Sequence, residues 1–123
     1  MVEDHPFQLI GLEMQINRLG FFRVAPALDC AEAMSLIQEG RTFDLLVCDQ
    51  HLPDGLGINL IEKAYALGGI RHAVLLSGIE EPPTLQMLLQ TARERGLPLL
   101  ACLSKPLPVQ AFLNALPPIW GNP

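Results

Sequence analysis

The chain has 123 residues, of which half are apolar and 17% are charged, and this suits one domain whose strands are buried on both faces. No apolar run approaches the roughly 20 residues that span a bilayer. A net charge of −5 argues against general nucleic-acid binding, which needs a basic face. Three cysteines without paired spacing support neither a disulfide framework nor a zinc site, so we expect reduced thiols in the cytoplasm at Cys30, Cys48 and Cys102.

In the first half of the chain, strand-like and helical patterns alternate. Asp29 offers an N-cap with Glu32 three residues later, which is the pattern of a capping box at a helix start. The predicted elements are a first strand reduced to Met1 and Val2, a helix over residues 7–19, a short strand over 22–25, a helix from Asp29 to Gly40 and a buried strand over 43–48.

The second half continues the alternation after a loop that contains Pro53, Gly55 and Gly57. The predicted elements are a helix from Ile58 to Gly68, a buried strand over residues 73–76, a helix opened by Pro82 and Pro83 and ended by Gly96, a strand over 99–103 and a helix over 109–116. Strand and helix in regular alternation predict an α/β fold with helices on both faces of a parallel sheet. We expect one domain over residues 1–116 and a tail or linker over 117–123, with any output domain beyond it.

Polar residues stand at the same end of each predicted strand. Glu3 and Asp4 follow the first strand, Asp49 ends the third, Ser77 ends the fourth and Lys105 follows the fifth. Because ligands of a parallel α/β sheet bind outside the carboxyl ends of the strands, we expect these side chains to meet in one site.

The chemistry of these residue types is mutually consistent. Carboxylates that lie close together repel, and a hard divalent cation such as Mg²⁺, which takes oxygen ligands, relieves the repulsion. Asp49 ends a central strand, so it is the natural nucleophile for in-line attack on a phosphoryl group. Ser77 can hydrogen-bond one phosphoryl oxygen, and Lys105 can pair with another.

Four short motifs carry these residues: VEDHP at residues 2–6, VCDQHLPDGLG at 47–57, LSG at 76–78 and SKPL at 104–107. In this order and approximate spacing they resemble the receiver domains of response regulators in two-component signalling. The resemblance covers nearly the whole chain. It implies a flavodoxin-like (βα)5 fold, a doubly wound parallel sheet with the strand order 2-1-3-4-5.

By this resemblance, Asp49 is the phosphoacceptor, and the donor is a sensor histidine kinase or a phosphotransfer protein. Mg²⁺ is the only cofactor that the resemblance implies. Its ligands would be Asp49, Asp4 directly, Glu3 through water, and the backbone carbonyl of His51.

The same resemblance assigns a switch region. Ser77 is similar to the switch hydroxyl and Lys105 to the phosphate-binding lysine, and a cis peptide bond precedes Pro106. We expect Ser77, Gly78, Cys102 and Pro106 to move on phosphorylation and to shift the fourth helix, the fifth strand and the fifth helix.

Some positions depart from the usual receiver pattern. Only Met1 and Val2 precede Glu3, and we expect that part of the first strand lies outside this sequence. Cys102 stands where many receivers place a switch tyrosine or phenylalanine, and the interval from Ser77 to Lys105 is long. The long interval, the missing aromatic residue and the opening EDHPFQ at residues 3–8 resemble receivers fused to EAL-type cyclic-di-GMP phosphodiesterases. An EAL-type output domain and a homodimer both stay open.

Two other functions stay open at this point. A protein-interaction module that keeps the fold without phosphotransfer would explain the missing aromatic residue and the short first strand, although the intact set of polar residues argues against it. An aspartate-nucleophile phosphohydrolase needs a second acid two residues after its nucleophile, where this chain has His51. We therefore expect no enzyme with a separate small-molecule substrate.

Overall fold

The computed structural model describes residues 1–20, 22–78, 82–118 and 120. In chain order the elements are α1 (Pro6–Asn17), α2 (Cys30–Gln38), β1 (Phe43–Asp49), β2 (His51–Leu52), β3 (Gly55–Leu56), α3 (Gly57–Ala66), β4 (Ile70–Ser77), α4 (Pro82–Glu94), β5 (Leu99–Ser104) and α5 (Val109–Ala115). Of the helices in these ranges, none combines the length and apolarity needed to cross a bilayer. Residues 119 and 121–123 of the predicted tail, and Glu80 and Glu81 in the predicted long interval, lie outside the described residues.

The sheet has the predicted parallel order. β4 lies between β1 and β5 and pairs with both in parallel. On the other side of β1, Val2 forms parallel bridges to Cys48 and to Ala27. The lateral order is therefore Ala27, Val2, β1, β4 and β5, which confirms the flavodoxin-like arrangement, with each of the first two predicted strands reduced to one bridging residue.

The predicted second strand over residues 22–25 is wrong. The parallel bridge falls at Ala27 instead, and residues 22–26 contain no strand. The backbone N–H of Ala27 donates to the carbonyl of Met1 at 2.8 Å, and that of Glu3 donates to the carbonyl of Ala27 at 3.1 Å. A strand requires a ladder of such bonds, and the short neighbour at Met1 to Glu3 extends the ladder over too few residues.

Alternate side chains of the strands build one core on each face of the sheet. Leu46, Cys48 and Leu75 pack on the face covered by α2, α3 and α4. Val47 and Val74 pack on the opposite face, beneath α1 and α5. Successive side chains of a strand point to opposite faces of the sheet, and helices cover both faces here. Both sets of side chains are therefore buried, which explains the continuous apolar runs in these strands.

The hairpin of β2 and β3 was not predicted. It pairs His51 with Leu56 and Leu52 with Gly55, and it occupies the segment that the sequence marks as a loop. Its last residue leads directly into Gly57, the first residue of α3. A Cβ atom at Gly57 would lie 2.5 Å from the carbonyl oxygen of Asp49 and 2.7 Å from Cδ2 of Leu75. Only glycine therefore lets the helix start this close to the end of β1.

We expect Gly57→Ala to lower the free energy of unfolding by about 1–3 kcal/mol, because the added methyl group overpacks the junction of β1 and α3. Gly11→Ala in α1 is the matched control, since a Cβ there meets nothing within 4 Å. That exchange should stabilise the protein by about 0.5–1 kcal/mol, the helix-interior cost of glycine. Urea denaturation of the two variants checks both signs, and equal effects would contradict this account of Gly57.

Candidate functional site

The sheet brings the predicted polar residues to one edge. Asp49 is the last residue of β1, Ser77 is the last residue of β4, and Lys105 follows β5 directly. Glu3 and Asp4 follow the bridging residue Val2. Since all of these strands are parallel, their carboxyl ends meet at the same edge, as the sequence predicts.

Three carboxylates cluster at this edge. One oxygen each from Glu3, Asp4 and Asp49 lies within 4.8 Å of the others. Glu3 and Asp49 are buried, with 2% and 6% of their surface exposed, and Asp4 is the most exposed of the three. Burial raises the pKa of Glu3, and the charge of Asp49 adds to this, while contacts with Lys105 act against it.

Lys105 bridges the two buried carboxylates. Its Nζ lies 2.6 Å from Oε2 of Glu3 and 2.7 Å from Oδ2 of Asp49. Burial alone would lower the pKa of Lys105, but the hydrogen bonds and charges of Asp49 and Glu3 outweigh it and raise the pKa. The side chain is therefore a fixed positive charge, and the remaining Glu3 oxygen accepts from the N–H of His5 at 3.3 Å.

The backbone of Lys105 is tied to the neighbouring strand. Its N–H donates to the carbonyl of Ser77 at 2.9 Å, and the peptide bond from Lys105 to Pro106 is cis, as predicted. Ser77 itself is 1% exposed, and Gly78 lies beside the aliphatic stem of Lys105. The ends of β4 and β5 therefore reach the carboxylates as one connected unit.

Cys102 lies apart from the polar cluster. It is opposite Leu75 in the sheet and packs against the core beneath α2, α3 and α4. The position that often holds a switch aromatic residue in receivers is thus occupied here by a small, partly buried side chain.

The hairpin is fixed by two polar residues that the sequence reasoning missed. The side chain of Gln50 accepts from the N–H of Ile58 at 3.0 Å and so caps α3, whose own N-cap, Leu56, has no side-chain acceptor. Asp54 accepts from the N–H groups of Cys30 at 2.9 Å and Ala31 at 3.0 Å, at the start of α2. Neither contact has a local signal in the sequence, because Gln50 is 8 positions from Ile58 and Asp54 is 24 positions from Cys30.

The predicted N-cap of α2 is confirmed. The Asp29 side chain accepts from the N–H of Glu32 at 2.8 Å. Glu32 completes the motif differently from a capping box, because its Oε1 accepts from the N–H of Leu28 at 3.1 Å. Together with Asp54, these contacts satisfy the first amides of the helix and attach it to the hairpin that contains His51.

Gln8 is a further neighbour that the sequence reasoning missed. Its Oε1 lies 3.3 Å from Nζ of Lys105, so α1 borders the site directly. The signal was a polar residue in the first turn of the helix that follows Glu3 and Asp4. Gln8, Gly11, Lys105 and Pro106 line a groove that opens beside the carboxylates.

The donor set fits a hard divalent cation. Three carboxylates face one another, and Lys105 supplies a single positive charge against them, so the cluster retains a negative charge. Oxygen donors of this kind suit Mg²⁺ and Ca²⁺ and do not suit soft metals. The carbonyl of His51 as an additional ligand stays a prediction.

Comparison with known proteins is consistent with this geometry. A family model of the response regulator receiver domain matches residues 1–116. The receiver domain of the Francisella response regulator 1452 superposes with a TM-score of 0.73 at 18% identity, covering 93% of this chain and 88% of that one. A comparison with curated protein sequences found no match.

Two further structures share the fold at low identity. A Burkholderia pseudomallei response regulator, with a phosphorylated aspartic acid, a calcium ion and citrate, has a TM-score of 0.72 at 23% identity, covering 95% of this chain and 64% of that one. The N-terminal domain of a response regulator/sensory box/GGDEF protein from Carboxydothermus hydrogenoformans has a TM-score of 0.73 at 22% identity, covering 93% and 86%.

We expect Asp54→Asn to destabilise the protein most at neutral pH. Hydrogen bonds from the N–H groups of Cys30 and Ala31 hold the pKa of Asp54 below its usual value of 3.8. A lowered pKa in the folded state means that the stabilisation is complete above the pKa of the unfolded chain and is lost as pH falls through the folded value.

Urea denaturation at a series of pH values checks this expectation. The difference between wild type and Asp54→Asn should shrink as the pH falls below the usual carboxyl range. Asp44→Asn, which changes an exposed carboxylate at the other end of β1, is the control. A difference that does not depend on pH would contradict the role given to the Asp54 charge.

Proposed function

The chain belongs to the response regulator receiver domain family, and we propose that Asp49 is the carboxylate on which it accepts a phosphoryl group. The observation that carries this proposal is the position of Asp49, whose Oδ2 lies 2.7 Å from the Lys105 ammonium group while Glu3 and Asp4 lie close by. No other described carboxylate combines a lysine partner, acidic neighbours and a place at the end of a central strand.

In this proposal the donor is the phosphohistidine of a sensor histidine kinase or a phosphotransfer protein. A carboxylate oxygen of Asp49 attacks phosphorus in line, a P–O bond forms, and the P–N bond to the imidazole breaks. Lys105 then exchanges a carboxylate partner for a phosphoryl oxygen, and the hydroxyl of Ser77 donates to another oxygen. The rigid end of β1 holds the nucleophile throughout.

We propose Mg²⁺ as the cation at this edge of the sheet. Asp4 and Asp49 would bind it directly, Glu3 through water, and His51 through its backbone carbonyl. When bound, it supplies positive charge that neutralises the oxygens of the transferring group. The domain promotes its own phosphorylation and dephosphorylation in this proposal and has no separate small-molecule substrate.

The exposed face of α1 supports a docking role for the phosphodonor. Phe7, Ile10 and Met14 are 88%, 55% and 52% exposed, and they follow one another at helical spacing. Gln8 of the same helix contacts Lys105, so a partner seated on this face would lie beside the site. Exposed apolar residues next to a reaction site are typical of protein docking surfaces.

Phosphorylation would act on the switch region through charge. An aspartyl phosphate adds about −1 to −2 charge beside Glu3 and draws Lys105 toward it. Because Lys105 is bonded to Ser77 through its backbone, this movement reaches Gly78, Pro106, α4, β5 and α5. A partial population shift is the expected response, since a complete switch needs about 5.5 kcal/mol.

The output in this proposal is a fused domain or a separate partner in the cytoplasm. We propose an EAL-type phosphodiesterase domain as the fused output domain and a homodimer of receivers as the assembly. The small side chain of Cys102 means that the output is relayed by the Ser77 loop and the following helix rather than by rotation of an aromatic ring.

Incubation with acetyl phosphate and Mg²⁺ should add the mass of one phosphoryl group to the wild-type protein, and chelation of the metal should prevent it. Asp49→Asn should remove the added mass, while Asp44→Asn should keep it. Mass spectrometry of the intact protein measures all four cases, and circular dichroism verifies folding. Absence of the added mass in wild type would favour an interaction module, and its persistence in Asp49→Asn would exclude this nucleophile.

Phe7→Ser should slow phosphotransfer from a histidine kinase about tenfold, because it removes about 1.4 kcal/mol of docking energy from an exposed helix face. Labelling by acetyl phosphate should not change, since that small donor needs no docking surface. A panel of autophosphorylated kinases provides the assay, and Leu67→Ser, which alters a 60% exposed leucine after α3, is the control. Equal loss with both donors would show damage to the site rather than to docking.

A further inference from the structure

A second polar pocket lies at the other end of the sheet from Asp49. Its volume is about 550 Å³, which is within the range of roughly 300–1,000 Å³ that small-molecule sites occupy. Phe22, Phe43 and Trp120 form its aromatic part, and Arg23 and Arg41 form its charged part. Phe43 begins β1, whereas Asp49 ends it, so the two sites are separated by the length of the strand.

The two arginines of this pocket are available to an anion. Arg23 and Arg41 are exposed, and within the described part of the chain neither makes an ion pair with a carboxylate. The guanidinium of Arg41 lies 5.2 Å from the ring centroid of Phe43, and this contact restrains it at the pocket. Asp44 also borders the pocket, but its carboxylate pairs with Arg71 at 3.9 Å.

Arginine side chains are more numerous than carboxylates at the end of the sheet that contains this pocket. Helices α1 to α5 end, and strands β1, β4 and β5 begin, at this end of the sheet. Arginines outnumber carboxylates here, in a chain whose net charge is −5: Arg18, Arg23, Arg41, Arg71, Arg93 and Arg95 against Glu39, Asp44, Glu62 and Glu94, with Arg71 and Arg95 paired to Asp44 and Glu62. The side-chain charge at this end therefore favours an anion, although the whole protein is acidic and the helix ends themselves carry partial negative charge.

The aromatic part of the pocket is held in place. Trp120 is half-buried and packs edge-on against His72, with ring centroids 5.4 Å apart. The backbone N–H of Trp120 donates to the carbonyl of Pro117 at 2.9 Å, which forms a turn, and the contact with His72 attaches the tail to β4. A tryptophan that shares a pocket with two guanidinium groups not paired to a described carboxylate suits a ligand that combines a planar ring with a phosphate.

We propose that this pocket binds a nucleoside phosphate, with its base against Trp120 and its phosphate between Arg23 and Arg41. Bidentate guanidinium groups match phosphate geometry, and base–aromatic stacking tolerates different bases. The site is independent of phosphorylation at Asp49, and it provides the domain with a second, non-covalent input.

Fluorescence of Trp120, the single tryptophan of the chain, reports binding directly. Adenosine monophosphate and guanosine monophosphate are titrated into the protein, with excitation at the red edge of tryptophan absorption, where nucleotides do not absorb. We expect saturable quenching by both. Arg23→Ala and Arg41→Ala should each weaken binding about tenfold, which corresponds to about 1.4 kcal/mol for a lost charge-assisted contact. Arg95→Ala, which removes an equal charge outside the pocket, should bind as wild type does.

Separate titrations with adenosine, inorganic phosphate and a glutamate-rich peptide containing one phenylalanine identify the chemistry. Weaker binding of adenosine and of phosphate than of either nucleotide supports the proposal, since both parts of the ligand then contribute. Non-saturable quenching, equal affinities in the arginine variants, phosphate binding as tight as nucleotide binding, or tighter binding of the peptide would each overturn it. Asp49→Asn should bind the nucleotides as wild type does, because the pocket lies at the opposite end of β1. A failure of nucleotide binding would therefore leave the proposal on Asp49 untouched, and a failure of phosphorylation would leave the proposal on this pocket untouched.

Discussion

The bridge that Lys105 makes between Glu3 and Asp49 is the interaction on which the rest of the site depends. The three residues follow or end the first, the third and the last predicted strands. Lys105 is 102 positions from Glu3 and 56 positions from Asp49 in the chain. Two buried carboxylates without a cation would repel each other and lose hydration, and an ion pair broken inside a protein costs about 3–5 kcal/mol. Nζ contacts at 2.6 and 2.7 Å offset this cost. Lys105 therefore stabilises the acidic edge by placing a positive charge between the two buried carboxylates.

The same bridge couples charge at Asp49 to the geometry of the sheet edge. Lys105 is fixed at one end by its contacts with the carboxylates and at the other by the bond from its N–H to Ser77. In the proposed mechanism, a new anion at Asp49 would change the forces on the ammonium group, and Lys105 would pass this change to the ends of β4 and β5, which it connects. Cys102 packs in the core instead of offering a ring to rotate. The backbone link through Lys105 thus connects Asp49 directly to the end of β4, which precedes α4.

Sequence patterns predicted the parts of the structure that depend on local order. The alternation of helices and strands follows from periodicity, and Asp49, Ser77 and Lys105 were found because each stands at a strand end. The wrong strand over residues 22–25 has a non-local cause, since a strand exists only if a neighbour forms a ladder with it. The contact from Asp54 to Cys30, across 24 positions, was missed for the same reason. Gln8 shows a further limit, because its contact with Lys105 depends on how α1 lies against the last strand rather than on any spacing.

The opposite charges at the two ends of the sheet follow from the direction of its elements. Helices begin at the edge that contains Asp49 and end at the edge that contains Arg41, so their dipoles favour anions at the first edge and cations at the second. Carboxylates such as Asp29 and Asp54 cap helix starts near the phosphoacceptor, while arginines cluster where helices finish. Phe43 and Asp49 are separated by about 20 Å along β1, at roughly 3.3 Å per residue, and the Debye length at physiological salt is about 8 Å. Direct electrostatic influence between ligands at the two ends is therefore screened, and any coupling between them must pass mechanically through the packed strands.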